Sequence, residues 1–89
     1  MISRTSSRFW DAYVDLPEEV KRRARRAYQL FEEDPRHPSL RFKRVHSSVP
    51  IYSVRITRDY RAVGVRDEEA IIWFWIGSHA DYDRLLTQL

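Results

Sequence analysis

Seven consecutive residues, Ala70-Ile71-Ile72-Trp73-Phe74-Trp75-Ile76, carry no polar side chain. The run is far shorter than the ~20 residues a membrane-crossing helix needs. It is dominated by β-branched and aromatic side chains and predicts a strand buried on both faces. Such a strand has to lie within a sheet, and both faces of that sheet have to be covered. Gly77 is expected to break the strand. The segment Gly77-Ser78-His79-Ala80-Asp81-Tyr82 then sets a histidine and a tyrosine three residues apart at the handover to a helix. Strand ends are where a rigid scaffold presents reactive side chains.

The rest of the chain supplies the cover. Thr5, Ser6 and Ser7 can cap a first helix over about residues 6–15, in which Phe9, Tyr13 and Leu16 fall at helical spacing with Trp10 beside them. Pro17, Glu18 and Glu19 open a second helix, the acids suiting the positive end of its dipole. Val20, Ala24, Ala27, Leu30 and Phe31 form its apolar stripe, with Lys21, Arg22, Arg23, Arg25 and Arg26 mostly on the other side. Asp34-Pro35 ends it. Strand-like segments follow at Leu40–Val45, Ile51–Thr57, Tyr60–Val65 and Ala70–Ile76, and a last helix at Asp81–Leu89. Connections this short force antiparallel pairing. The 89 residues therefore predict one α+β domain, spanning 1–89. It should have an N-terminal helical hairpin, a four-stranded antiparallel sheet and a short C-terminal helix. Trp73, Trp75, Phe74, Ile72, Val54, Ile56 and Leu30 are the expected core.

The absence of cysteine excludes disulfides and thiolate metal sites and favours a reducing compartment. The opening Met1-Ile2-Ser3-Arg4-Thr5 has no apolar signal region, so a soluble, cytoplasmic protein without a membrane partner is expected. Three histidines scattered along the chain do not form a metal-ligand set, and no cofactor is implied. The net charge of +3 conceals an uneven distribution. Residues 1–34 are balanced and residues 67–89 carry −4, while residues 35–66 hold eight basic side chains against Asp59 alone, a net of +7. Those eight are Arg36, Arg41, Lys43, Arg44, Arg55, Arg58, Arg61 and Arg66. Arginine binds phosphate bidentately and stacks on bases, which suits nucleic acid better than a membrane surface. A plain solvated arginine surface reads the same residues without a ligand.

Several strings, in order, resemble the RelE/ParE superfamily of bacterial type II toxin–antitoxin toxins. They are Leu16-Pro17-Glu18-Glu19-Val20, Asp34 to Lys43, Tyr52-Ser53-Val54-Arg55-Ile56 with Tyr60-Arg61-Ala62, and the strand ending in Gly77-Ser78-His79 with Tyr82 and a Leu-rich tail. The resemblance implies a toxin neutralised by a cognate antitoxin. In the RelE-like branch the toxin enters the ribosome and cuts mRNA; in the ParE-like branch it poisons DNA gyrase and lacks the nuclease residues. A basic nucleic-acid-binding module without toxicity is a third reading.

By the same resemblance, Arg61 corresponds to the arginine that stabilises the scissile phosphate, Arg55 falls near a basic residue of the preceding strand, and Lys43 matches a frequent basic residue. His79 and Tyr82 match C-terminal positions used by several members. Arg41, Lys43, Arg44 and Arg58 are the expected RNA-binding residues. Ser53 stands where another branch carries lysine, and no acid lies between Asp34 and Asp59 to serve as the glutamate base of some members. The first strand of many members is weak or absent in the sequence.

If the RNA 2′-hydroxyl is the nucleophile, cleavage needs no metal; it needs proton transfer and a stabilised phosphorane. Histidine suits the first, and arginine the second. Tyr82 suits stacking on a base or a hydrogen bond to phosphate. Two readings of these residues stay open. His79 and Tyr82 also fit a helix start and the apolar stripe of the last helix. A two-residue turn at Arg58-Asp59 would put Arg55 and Arg61 on opposite faces, and a three-residue turn on one face.

Overall fold

The computed structural model describes residues 1–89. Strand β1 (Ile2–Thr5) leads into helices α1 (Ser7–Val14) and α2 (Glu18–Glu33), a 3₁₀ turn (Pro38–Leu40), strands β2 (Lys43–Arg44), β3 (Ile51–Thr57), β4 (Tyr60–Asp67) and β5 (Ala70–Ser78), and helix α3 (His79–Gln88). One five-stranded sheet has the order β1-β5-β4-β3-β2. The chain starts at one edge, crosses a sheet face through the two helices, and meanders back from the other edge until β5 lies beside β1. The expected α+β class and the helical hairpin on one face are present.

The sheet has one strand more than expected. β1 pairs with β5 in parallel, Ile2 opposite Ala70 through Thr5 opposite Trp73. Its sequence holds a single large apolar residue, so no alternation announces it. Pairing with β5 makes it a strand, helped by the Trp73 indole N–H donating to Ser3 Oγ at 2.9 Å. The expected strand Leu40–Val45 shrinks to two residues. Pro38–Leu40 coil into a 3₁₀ turn, and Arg41 adopts a left-handed backbone (φ 47°) that redirects the chain.

Local signals set the helix ends. The Ser6 hydroxyl accepts from the Phe9 N–H, capping α1. Glu18 and Glu19 occupy the first turn of α2. Ser78 caps α3 by accepting from the Asp81 N–H, so α3 begins at His79, two residues before the expected start.

Two cores sit on the two sheet faces. Beneath α1 and α2, Phe31 packs edge-on against Trp73 and Phe42, with Leu40, Val54, Ala62, Ile71 and Ile76 around them. Beneath α3, Tyr82 and Leu85 cover Ile51 and Val63, with Phe74, Trp75 and Leu86 alongside. Each fully buried apolar side chain of this kind contributes roughly 1.5–3 kcal/mol. Of the expected core, Trp73 and Val54 are buried; Trp75, Phe74, Ile72, Ile56 and Leu30 are half-buried.

A bulge separates the two tryptophans. Val63 faces Trp75 and the next β4 residue, Gly64, faces Trp73, leaving Phe74 as the extra residue. Trp73 therefore joins the α1–α2 core and Trp75 the α3 core. Strict alternation would have put both on one side. Gly64 leaves room beneath the first: a Cβ there would lie 2.9 Å from Trp73 Cε3.

Gly77 does not break β5, which runs on to Ser78. Its φ is not positive. The glycine is needed for space, because a Cβ would sit 2.6 Å from Trp75 Cζ2. Gly77→Ala should lower stability by about 1–3 kcal/mol through overpacking. Chemical denaturation would check it; an unchanged midpoint would show that Trp75 swings aside freely.

Candidate nucleic-acid site

The β3–β4 hairpin resolves the question of its two arginines. The turn at Arg58-Asp59 has two residues, yet Arg55 lies directly opposite Arg61, because a bulge between Arg55 and Thr57 inserts Ile56. Direct cross-strand partners share a face. That face is the one beneath α3, since Val63, two residues from Arg61, packs under Tyr82 and Leu85. Lys43 pairs with Ser53, two residues from Arg55, and joins the same face. Arg44, opposite Tyr52, points to the other side, and its guanidinium donates to the carbonyls of His46 and Ser47. Of the expected RNA-binding residues, Lys43 thus lies with the pair and Arg44 does not. Arg58 occupies the turn.

Arg61 is held in place. Its Nη1 donates to the carbonyls of Thr57 at 2.7 Å, Tyr60 at 3.0 Å and Arg58 at 3.2 Å, tying the guanidinium to its own turn. Partial burial, then the like charge of Arg55, push its pKa below arginine's ordinary value; Arg41 adds to the effect, while Tyr82 and Asp59 oppose it. Arginine remains a cation under such a shift. The facing Arg61 and Arg55 concentrate positive charge on this face, and neither has a carboxylate within ion-pair distance.

The end of β5 closes the site. Opposite Arg61 stands Gly77, opposite Tyr60 stands Ser78, and the His79 N–H donates to the Asp59 carbonyl at 2.7 Å. This last bond joins the start of α3 to the β3–β4 turn. The His79 imidazole is 48% exposed and its Nδ1 lies 3.3 Å from Asp83 Oδ2, one helical turn on. Its ring meets Tyr82 edge-on at 5.6 Å. Tyr82 itself is only 6% exposed. Its hydroxyl donates to Ser53 Oγ at 3.2 Å inside the α3 core, so the ring is not presented for base stacking. Tyr82 instead links the helix that carries His79 to the strand that carries Arg55.

The Tyr82–Ser53 bond has its own test. Tyr82→Phe leaves a buried serine hydroxyl without its partner and should cost about 1–3 kcal/mol. Adding Ser53→Ala removes both partners and should recover most of that loss. A double-mutant cycle by urea denaturation measures it; additive losses would contradict a direct bond.

Asp83 was not singled out from the sequence, and Ser53 was noted only as standing where another branch carries lysine. Asp83 follows His79 by four residues, a legible helical spacing once α3 is known to start at His79. The pairing of Ser53 with Tyr82 had no signal, because the two lie 29 residues apart. The other two histidines fasten loops. His37 Nδ1 accepts from the Ser39 N–H; His46 Nδ1 accepts from the N–H groups of Ser48 and Val49. No three His, Asp or Glu side chains are grouped so as to hold a metal ion. No helix is long and apolar enough to cross a membrane.

Comparison with known proteins places this architecture. No curated protein sequence matches the chain. Solved structures share its fold at low identity. A RelB–RelE antitoxin–toxin complex from Methanococcus jannaschii superposes with a TM-score of 0.74 at 14% identity, covering 91% of this chain and 96% of that one. YafQ from E. coli strain BL21(DE3) gives 0.72 at 12% identity, covering 90% and 94%. The RelBE2 toxin–antitoxin complex from Mycobacterium tuberculosis gives 0.69 at 15% identity, covering 88% and 96%. The family model for the ParE-like toxin domain matches residues 18–84, a segment holding the arginine pair, Lys43, His79 and Tyr82. The chain therefore belongs to the ParE-like toxin domain family and has the RelE/ParE fold.

Proposed function

We propose that this protein is the toxin of a type II toxin–antitoxin system and acts as a ribosome-dependent mRNA endonuclease. The observation that carries the reading is the direct pairing of Arg55 with Arg61 on one sheet face, closed at its end by His79. In this reading the message lies across that face. His79 takes the proton of a 2′-hydroxyl, whose oxygen attacks the adjacent phosphorus. Arg61, assisted by Arg55 and Lys43, stabilises the charged phosphorane. The bond from phosphorus to the 5′-oxygen breaks, and solvent protonates the leaving oxygen. The products are a 2′,3′-cyclic phosphate and a 5′-hydroxyl end. Asp83 orients the imidazole, and Tyr82 is a positioning residue. Few groups on this face could align a free strand for in-line attack, so the ribosome supplies orientation.

The cognate antitoxin is the expected partner. The uncompensated charge of residues 35–66 suits an acidic clamp. Ile2 at the outer strand and Trp10 and Val14 on α1 leave large apolar side chains exposed for it. Solved relatives of this fold include RelB–RelE complexes. The neighbouring reading frame tests this part: a short acidic frame is expected, and an isolated gene would count against it.

The ParE-like name of the matched family favours one second reading, a gyrase poison. Primer extension on message from a translating-ribosome reaction decides between them. Cleavage within the occupied ribosomal site is expected. Intact message together with trapped gyrase–DNA cleavage complexes would replace the nuclease reading.

A further inference from the structure

A second cationic feature lies around the end of the hairpin from the arginine pair. Helix α2, the Pro38–Leu40 turn and the end of β3 enclose an open groove of about 640 Å³. Arg22, Arg23 and Arg26 line it from the helix, Arg55 and Arg58 from the hairpin, and no acidic residue lines it. Arg22 is paired with Glu19. The other four have no carboxylate within 4.0 Å. A solvated arginine face of a helix normally interleaves its charges with acids. Here a helix and a hairpin far apart in sequence bring residues with unpaired guanidinium groups to the lining of one space.

We propose that this groove is a second binding site that holds the sugar–phosphate backbone of single-stranded RNA continuing from the Arg55–Arg61 pair. The proposal rests on the nuclease reading for the strand's identity. Arg55 provides the continuity, because it belongs both to the pair and to the groove wall. A strand whose scissile phosphate sits at Arg61 brings neighbouring phosphates past Arg55 towards Arg58, Arg26 and Arg23. Ala27, Leu30, Leu40 and Ile56 give the groove an apolar part of its lining. Guanidinium groups beside such apolar surface can accept phosphates at their edges and bases on their faces. An acidic peptide satisfies the charge but makes no use of that stacking, which is why RNA is the occupant proposed.

The test measures binding apart from cleavage. The probe is a fluorescein-labelled single-stranded RNA with 2′-O-methyl groups, which the toxin cannot cut. Its affinity is followed by anisotropy over a range of salt concentrations. Arg23→Gln/Arg26→Gln changes two exposed, unpaired side chains and should leave the fold intact. It should weaken binding at least about tenfold, since hydrogen bonds between guanidinium and phosphate are charge-assisted and correspondingly strong. The slope of log affinity against log salt should fall by about 1.4, roughly 0.7 for each phosphate no longer neutralised. Equal affinity and slope, or no measurable binding by the wild type, overturns the proposal. So does a polyglutamate probe that binds more tightly than the RNA and is lost in the double variant, which would make the groove a protein-docking site. Failure of the nuclease reading looks different: the message stays whole on the ribosome, while the RNA probe still depends on Arg23 and Arg26.

Discussion

His79→Ala should slow cleavage of ribosome-bound message by about 10²–10⁴-fold, the usual contribution of a positioned acid–base group. The fold should survive. The His79 side chain is half-exposed, and its contact with exposed Asp83 lies where solvent screens it and adds little to stability. The backbone N–H bond to Asp59, which does fasten α3 to the hairpin, is retained by alanine. Ser78 still caps the helix. The loss should thus appear in rate and not in melting temperature. Added imidazole should restore part of the activity, because the vacated position opens to solvent. Asp83→Asn should give a smaller loss, since it removes the orienting charge and keeps the ring. Wild-type rates in His79→Ala would remove His79 from the site while leaving the activity itself in place.

Arg61→Ala should be both much slower and less stable. Removing one preorganised donor at a developing oxyanion costs about 10²–10³-fold in rate. The stability loss arises because Nη1 bonds three carbonyls of the β3–β4 turn. Each such bond contributes roughly 0.5–1.5 kcal/mol net, and less where water can replace it. A drop in melting temperature should therefore accompany the rate loss. Arg55→Ala separates the two effects. Its guanidinium has no carboxylate partner, so its removal should reduce rate and leave the melting temperature unchanged. If Arg61→Ala cuts at the wild-type rate despite its lower stability, Arg61 is a structural clamp and the phosphate falls to Arg55 and Lys43.

Much of the fold was legible because burial repeats along the chain. The stripe Val20, Ala24, Ala27, Leu30 and Phe31 recurs at helical spacing, and α2 forms there. Strand β3 occupies Ile51–Thr57, the segment its composition indicated. In both, the signal lies within a few residues of the structure it specifies. β1 was not legible, because Ile2–Thr5 becomes a strand only when β5 presents an edge to it. The strand expected at Leu40–Val45 failed for a backbone reason, the left-handed turn at Arg41.

The site divides in the same way. The residue types and their places near chain turns, with Arg55, Arg61 and His79 foremost, could be named from sequence. Whether the arginines meet could not. That depends on one extra residue, Ile56, in the strand, and a one-residue change of register sends a side chain to the opposite face. Trp73 and Trp75 illustrate the same rule, parted by the bulge at Phe74. The sequence by itself determined the elements and the surplus of positive charge, because helix and strand patterns and charge counts are local properties. Tertiary structure alone decided which charges share a face and that α2 turns Arg23 and Arg26 towards the hairpin, because register and packing are set by partners distant along the chain.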